Sequence, residues 1–446
     1  MRNQLIVSGL GVVALKVAGT ILSFGLSIIL ARSLGASEYG VYSLGIAILM
    51  VASIPIQSGI PILVVREVAR AKAHQDLHLI KLVRSWCNRL IIGYFVILCV
   101  ATVAIMSLTD QWDGSHRANV TLAGIASIPF LALILMQSAI MRGIGRVVFA
   151  AAPDGLIRPL INLTLFVSIG YFIAKGGLTA IQAMLIYLAT IIATFLLTRQ
   201  MLVRSAAEAL SATTKALSLN IYGKWRETLY SLTFVGGIQL LFGYLDILIL
   251  GIFLGDTEIG IYRVAVQISI LVSFSLTVLN QMLYPHFASL YTKGEWKGLQ
   301  RLVANSSMII LILAAIPAMP LIFMGGNFLE IIYGDEYVIG TIALKILVIG
   351  QLVNAAFGSV GAILNMTGHE KDAVIGMSIA IVVNVALNFI LIPVYGINGA
   401  AFSSALAFFI WNSILRQYVK KRLDIESSGI AYYVKNKFFM VSGGRL

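Results

Sequence analysis

Long apolar runs, each close to the width of a bilayer, alternate along this chain with short polar or basic turns. A helix needs about 20 mostly apolar residues to cross the hydrocarbon. Twelve runs qualify: 7–31, 40–65, 90–107, 120–141, 160–173 and 179–202 in the first half, then 229–254, 260–283, 308–324, 338–365, 373–395 and 399–418 in the second. The fifth is short as drawn and begins nearer Val148, passing through Pro153 and Pro159 as a bent helix. The stretch 30–42 (LARSLGASEYGVY) returns without a gap at 250–262 (LGIFLGDTEIGIY), with Leu30/Leu250, Leu34/Leu254, Gly35/Gly255, Glu38/Glu258, Gly40/Gly260 and Tyr42/Tyr262 identical. Each copy lies between two apolar runs and is therefore a turn between spans. The chain reads as two copies of a six-helix unit. An even number of crossings per copy makes both copies enter from the same side, a parallel repeat about an axis along the membrane normal. The expected organisation is a first bundle over 1–202, a cytoplasmic linker over 203–228, a second bundle over 229–422 and a cytoplasmic tail over 423–446.

Composition narrows the class to an all-α polytopic membrane protein. Hydrophobic residues make up 59% and charged residues 11%, against about 45–50% and about 25% in a soluble domain. Of the 32 Lys and Arg, Arg32, Arg117, Lys175 and Arg263 alone fall at the ends opposite the N-terminus, with Lys16 and Lys345 inside spans. Cytoplasmic loops carry the excess of cations, so both termini are placed in the cytoplasm. The net charge of +13 is thus a topology signal, and no nucleic-acid partner is expected. The first run is too long for a cleaved signal peptide and lacks a small-residue cleavage site, so it is kept as a span.

The soluble parts carry little chemistry. In 71–89, Leu77, Ile80, Val83 and Trp86 recur every three residues opposite Lys72, Asp76, Lys81 and Arg84, a pattern for an amphipathic helix on the membrane surface. His74 and His78 have a metal-like spacing, but no further ligands complete a site. Cys87 and Cys99 suggest no disulfide framework. No Gly-rich loop ends in Gly-Lys-Ser or Gly-Lys-Thr, so any active transport is secondary. Nothing calls for a cofactor. The longest outer loops, 108–119 and 325–337, are too short to hold the donor and acceptor of a membrane glycosyltransferase, which disfavours an enzyme.

Charges inside spans are the sharper pointers, because each costs about 2.5–3.5 kcal/mol at a helix centre. Lys16 leads a polar stripe with Thr20, Ser23 and Ser27 on the first span, read as facing a wet cavity or, alternatively, as snorkelling to the headgroups. Asp246 shares a face with Gln239 and Gly243. It is either the buried partner of a cation such as Lys16 or Lys345 or an ion-coupling group, and both readings stay open. Gln351, Asn354, Gly358, Gly361 and Asn365 line the tenth span, and Asn384 and Asn388 lie one turn apart on the eleventh. Arg32 and Arg263 flank the repeated turns, while Arg66, Arg142 and Arg158 mark helix ends, where interfacial anchoring is the default. Pro55, Pro61, Pro129, Pro317 and Pro320 sit inside apolar runs and permit bends.

The segments ILARSLGASEYGVYSL (29–44), VREVA (65–69), YLDILILGIFLGDTEIGIYRVA (244–265), YPHFASLY (284–291) and YGINGAAFSSALA (395–407) resemble the polysaccharide transporter family. These are the O-antigen and capsule repeat-unit flippases of the multidrug/oligosaccharidyl-lipid/polysaccharide superfamily. The resemblance runs over nearly the whole chain, though individual motifs are loose. It implies two six-helix bundles in a V around a cavity that opens alternately to each side. It also implies a cargo of undecaprenyl-pyrophosphate-linked oligosaccharide turned across a bacterial plasma membrane, with membrane lipids, a polysaccharide polymerase and a chain-length regulator as partners and a proton or sodium as coupling ion. Lys16, Arg32, Arg263 and Lys345 are then candidate cations for the pyrophosphate, and Asn354 and Asn384 candidate sugar contacts. The alternatives are a drug or cation exporter of the related multidrug and toxin extrusion family, or a scaffold for polysaccharide enzymes. Exporters of that kind typically use an acid in helix one, where this chain has Lys16.

Overall fold

Backbone amides in hydrocarbon must bond to one another, which leaves helices as the open-ended solution. The computed structural model describes residues 2–108, 116–173, 177–211, 220–429 and 431–433, and these contain helices and turns but no strand. In chain order the helices are α1 (Arg2–Ala52), α2 (Ile54–Gln57), α3 (Ile60–Ala73), α4 (Leu77–Leu108), α5 (His116–Gly143), α6 (Val147–Ala152), α7 (Arg158–Ile173), α8 (Ala180–Ser211), α9 (Asn220–Phe253), α10 (Asp256–Thr292), α11 (Trp296–Tyr333), α12 (Thr341–Phe357), α13 (Val360–Met366) and α14 (Glu370–Leu423). A π turn, Pro153–Ile157, joins α6 to α7, and a 3-10 turn, Asp335–Gly340, precedes α12.

Among the described residues nine helices are long and apolar enough to cross a membrane. Three of them contain a break: Met324 kinks α11 at φ −118° and ψ 18°, and two others are divided at a glycine. Gly35 breaks α1 at φ 72° and ψ 169°, and Gly396 breaks α14 at φ 57° and ψ −135°, conformations a side chain resists. With the glycine breaks counted and the bent stretch 147–173 added, twelve apolar helical segments match the twelve runs of the sequence.

The chain packs as two compact units, Met1–Tyr244 and Leu245–Leu446. In the first, α5 is the central helix. Its Ile128, Leu131 and Ile134 are buried, and Gly45 of α1 approaches so closely that a Cβ there would meet Val120 of α5 at 2.8 Å and Met184 of α8 at 3.0 Å. Glu38, just past the Gly35 break, accepts from the Ala180 amide at 2.5 Å and lies 2.7 Å from His116 Nε2. One carboxylate thereby ties the repeated turn to the starts of α5 and α8. The first part of α9 belongs to this unit as well: Gly236 abuts Ser58, Gly237 abuts Ile54, and Leu229 abuts Gly59.

In the second unit α12 and α14 are held close where Gly350 meets Ala405, with 2.9 Å to a built Cβ. A buried cluster of Phe287, Leu299, Val303, Val360, Ile363, Leu415 and Ile425 closes one end. The chain after α14 folds back onto it: Gln300 donates to the Glu426 carbonyl at 2.9 Å and accepts from the Glu426 amide at 2.8 Å, while Arg416 pairs with Glu426 at 2.9 Å.

Several expectations change. No separate surface helix covers 71–89; α3 ends at Ala73, and α4 runs unbroken from Leu77 to Leu108. The apolar stripe faces protein, with Ile80 and Val83 buried against neighbouring helices. The tenth run is not one helix, because Gly358 separates α12 from α13 where it passes Ser307 too closely for a Cβ. The ninth run ends at 324 as expected, where Met324 kinks α11, but 325–337 is not a loop: a second helical piece runs on to Tyr333, and Tyr333 and Tyr337 are buried. Of the linker over 203–228, α8 occupies the start and α9 the end, while 212–219 lie outside the described residues, as do 109–115 of the outer loop and 434–446 of the tail.

Candidate functional site

Each unit holds a part-buried charged group within an apolar helical stretch. In the second unit it is Asp246, on α9. Tyr262 of α10 donates to Asp246 Oδ2 at 2.9 Å, Asn388 of α14 donates to Oδ1 at 2.8 Å, and the Ser404 hydroxyl of α14 also donates to Oδ2. Asn388 gives a second hydrogen bond, 3.0 Å, to Asn384 Oδ1. All five side chains come from helices on both sides of two breaks, the repeated turn at Gly255 and the Gly396 kink, which bring them to one level. No described residue forms an ion pair with Asp246, so the cation partner expected from Lys345 is absent; three neutral donors hold the carboxylate instead.

The donor set has a further property. Asn388 is fully buried, yet its Oδ1 has no hydrogen-bond partner among the described residues. A buried polar atom left unpaired costs about 1–3 kcal/mol. The Asp246 oxygens, Asn384 Oδ1 and Ser404 Oγ add to it an oxygen-rich cluster, with Asn388 Nδ2 between Asp246 Oδ1 and Asn384 Oδ1.

A second polar cluster in this unit is structural in form. Asn412 Nδ2 donates to Asn354 Oδ1 at 2.9 Å and to the Phe408 carbonyl at 2.8 Å, and Asn354 reaches Gln351 at 3.4 Å. Asn354 therefore clasps α12 to α14, apart from the Asp246 group. Lys345 is half-buried on α12, and Arg263 is half-buried next to Tyr262.

In the first unit the charged group is Arg158, the first residue of α7. Its Nη1 lies 3.2 Å from Oδ1 of Asp154 in the π turn, and the two side chains remain 27% and 33% exposed. Tyr187 of α8 and Tyr244 of α9 stand within electrostatic reach of the guanidinium. A π turn inserts one residue into the helical ladder and recurs at functional sites; here it puts Asp154 and Arg158 on one face. Packing against α1 fixes the turn: a Cβ on Gly19 would sit 2.0 Å from the Gly155 carbonyl oxygen, and Gly155 also touches Leu15. Lys16 follows Leu15 on α1, about 100° round the helix from it, and is exposed, without an ion pair to a described residue. Arg32 is exposed at the end of the first limb of α1.

Arg158 is thus not at a helix end, contrary to expectation. It lies in the middle of the bent stretch 147–173, and the signal that marks it is the pair of prolines, Pro153 and Pro159, on either side. Tyr262 and Ser404 were not singled out by sequence, since hydroxyls in apolar runs commonly bond their own backbone.

Residues 7–291 match the family described as "Polysaccharide biosynthesis protein". The chain is 23% identical over 402 residues to "Probable low-salt glycan biosynthesis flippase Agl15" of Haloferax volcanii, covering 89% of this chain and 79% of that one. Among solved structures it is similar to an inward-facing multidrug resistance MATE family transporter of the MOP superfamily, with TM-score 0.74, 12% identity and coverage of 91% and 94% of the two chains. It is also similar to the lipid II flippase MurJ in an inward closed conformation, with TM-score 0.70, 13% identity and coverage of 96% and 92%. At these identities the structural likeness establishes an all-α polytopic membrane fold and no more.

Proposed function

The chain belongs to the polysaccharide biosynthesis protein family, and on that premise we propose that it is a flippase for lipid-linked oligosaccharide. The cargo is an undecaprenyl-pyrophosphate-linked repeat unit, moved from the inner to the outer leaflet of a bacterial plasma membrane by alternating access. Both termini lie in the cytoplasm, in keeping with the sided distribution of Lys and Arg. The protein carries its cargo and does not convert it.

The observation that carries this reading is a part-buried cation, Arg158, held in the bent helix where α1 packs on the π turn through Leu15 and Gly19. We take Lys16, next to Leu15 on α1, as the second cation of the site; each cation within an apolar helix is costly. An anion that enters hydrocarbon needs such partners, since its desolvation is otherwise prohibitive. A pyrophosphate headgroup supplies the missing negative charge, and the flanking tyrosines suit a sugar. A drug exporter of the related family calls for an acid on the first helix, and Lys16 argues the other way. Arg32, Arg263 and Lys345 are secondary candidates for the same anion along its path, and the amides of Asn354 and Asn384 for its sugars.

The Asp246 group serves coupling in this account. Its oxygens and the unpaired Asn388 Oδ1 fit a proton or a sodium ion as the driving cation, which makes transport secondary-active.

The test is purified protein in liposomes loaded with a fluorescent lipid-linked oligosaccharide, scored by an impermeant sugar-modifying reagent outside. Protein-dependent gain of modification is expected, with Lys16→Gln and Arg158→Gln slowing it at unchanged protein content. No gain over empty liposomes would refute the flippase reading.

A further inference from the structure

At one end of the first unit, two arginines on helices that pack against each other have no counter-charge among the described residues. Arg84 rises from the start of α4, and its Nε is buried without a hydrogen-bond partner. The like charge of Arg199, on α8, lies within electrostatic reach of it. Neither forms an ion pair with a described residue. Two guanidinium groups brought together in a partly desolvated place repel, and a buried N–H left unbonded adds about 1–3 kcal/mol. An anion at the accessible guanidinium nitrogens relieves the repulsion.

The surroundings indicate what sort of anion. Leu196, Arg199, Gln200, Val203 and Arg204 recur along one face of α8 and line a cavity of about 390 Å³. That face mixes guanidinium and amide donors with apolar Leu196 and Val203. A free phosphate has no use for the apolar positions; a phosphate with acyl chains attached does. Two residues beyond Arg84, Trp86 packs on Trp225 with ring centroids 5.4 Å apart, and Tyr222 packs on Trp225 at 5.7 Å. Trp225 is itself buried, so this cluster packs α9 against α4; depth follows instead from Arg84, Arg199 and Arg204 at the ends of two spans, and basic pockets at that depth take lipid headgroups.

We propose that Arg84, Arg199 and Gln200 bind the phosphate of an anionic phospholipid, whose chains run along Leu196 and Val203. This lipid is a bound neighbour on the flank of the first unit, separate from the cargo and independent of the flippase reading.

Native mass spectrometry of the full chain, released from bilayers holding equal phosphatidylglycerol and phosphatidylcholine, tests it. The wild-type protein is expected to retain phosphatidylglycerol selectively, and millimolar inorganic phosphate to leave that retention unchanged. Arg84→Gln with Arg199→Gln should weaken retention on the order of tenfold, and Arg199→Gln alone, at an exposed position that does not threaten folding, should weaken it measurably. Equal retention of the two lipids, displacement by phosphate alone, or retention unaffected by Arg199→Gln would each overturn the proposal.

Discussion

The two units share a repeated turn and differ in the charged group each sets, part-buried, within a polar cluster of its apolar helices. In the first, a basic residue, Arg158, is held by an acid one helical turn away and stays partly open. In the second, an acid, Asp246, is held by hydroxyl and amide donors from three helical segments and has no counter-ion among the described residues. Duplication preserved the frame: Leu30 and Leu250, Gly40 and Gly260, and Tyr42 and Tyr262 are buried in both copies. Chemistry diverged inside it. The lesson is that a repeated sequence fixes where the chain turns while leaving each copy free to carry a different charged group.

The harshest way to break the contrast is Asp246→Ala. It leaves the Tyr262, Ser404 and Asn388 donors without their acceptor, at about 1–3 kcal/mol for each group left unpaired. A large drop in thermal unfolding temperature in detergent is expected, with Asp246→Asn falling much less because an amide oxygen still accepts. If both variants unfold like the wild type, the carboxylate is not the hub of the second unit.

Arg158→Gln probes the opposite arrangement. Removing one member of a half-buried pair should destabilise by about 1–3 kcal/mol, between the exposed and buried limits. Adding Asp154→Asn should restore the unfolding temperature but leave cargo transport impaired. Recovery of both by the double variant would make the pair merely structural.

Gly19→Ala tests whether the first unit's site depends on its backbone contact. A Cβ there meets the Gly155 carbonyl oxygen at 2.0 Å, and such overpacking costs about 1–3 kcal/mol. Reduced folded yield on size-exclusion chromatography is expected, against no change for Gly25→Ala, whose Cβ meets nothing within 4 Å.

The mildest effect separates the two copies of the turn themselves. Gly35 has φ 72°, whereas Gly255, its counterpart, has φ −76°. Alanine at 35 is expected to cost about 1–2 kcal/mol. Alanine at 255 should cost less, since only the end of the flexible Glu258 side chain must move aside. Equal losses in unfolding temperature would mean that the backbone difference between the copies has no energetic weight.

Much of the fold is legible in the sequence because apolar runs of membrane length have few alternatives. The bend through Pro153 and Pro159 and the turns at Gly35 and Gly255 follow from residues whose backbone preferences are strong. Spacing alone does not say what an apolar stripe touches. The stripe through Ile80 and Val83 fits a membrane surface as well as the protein neighbours it meets. The site is legible where a charge interrupts a run, as at Lys16 and Asp246, and where amides repeat one turn apart, as at Asn384 and Asn388. Arg158 is hidden because a bent run from Val148 through Pro153 and Pro159 does not announce the π turn that pairs it with Asp154. Asn354 illustrates the converse: an amide on a polar stripe that bonds Asn412 on the next helix.

The most direct test of the division between the units is transport in liposomes with and without an imposed proton or sodium gradient. Asp246→Asn is expected to keep slow, gradient-independent equilibration of the lipid-linked oligosaccharide and to lose all acceleration by the gradient, whereas Arg158→Gln should slow transport under both conditions. Identical behaviour of the two variants, or gradient-driven acceleration intact in Asp246→Asn, would contradict the account.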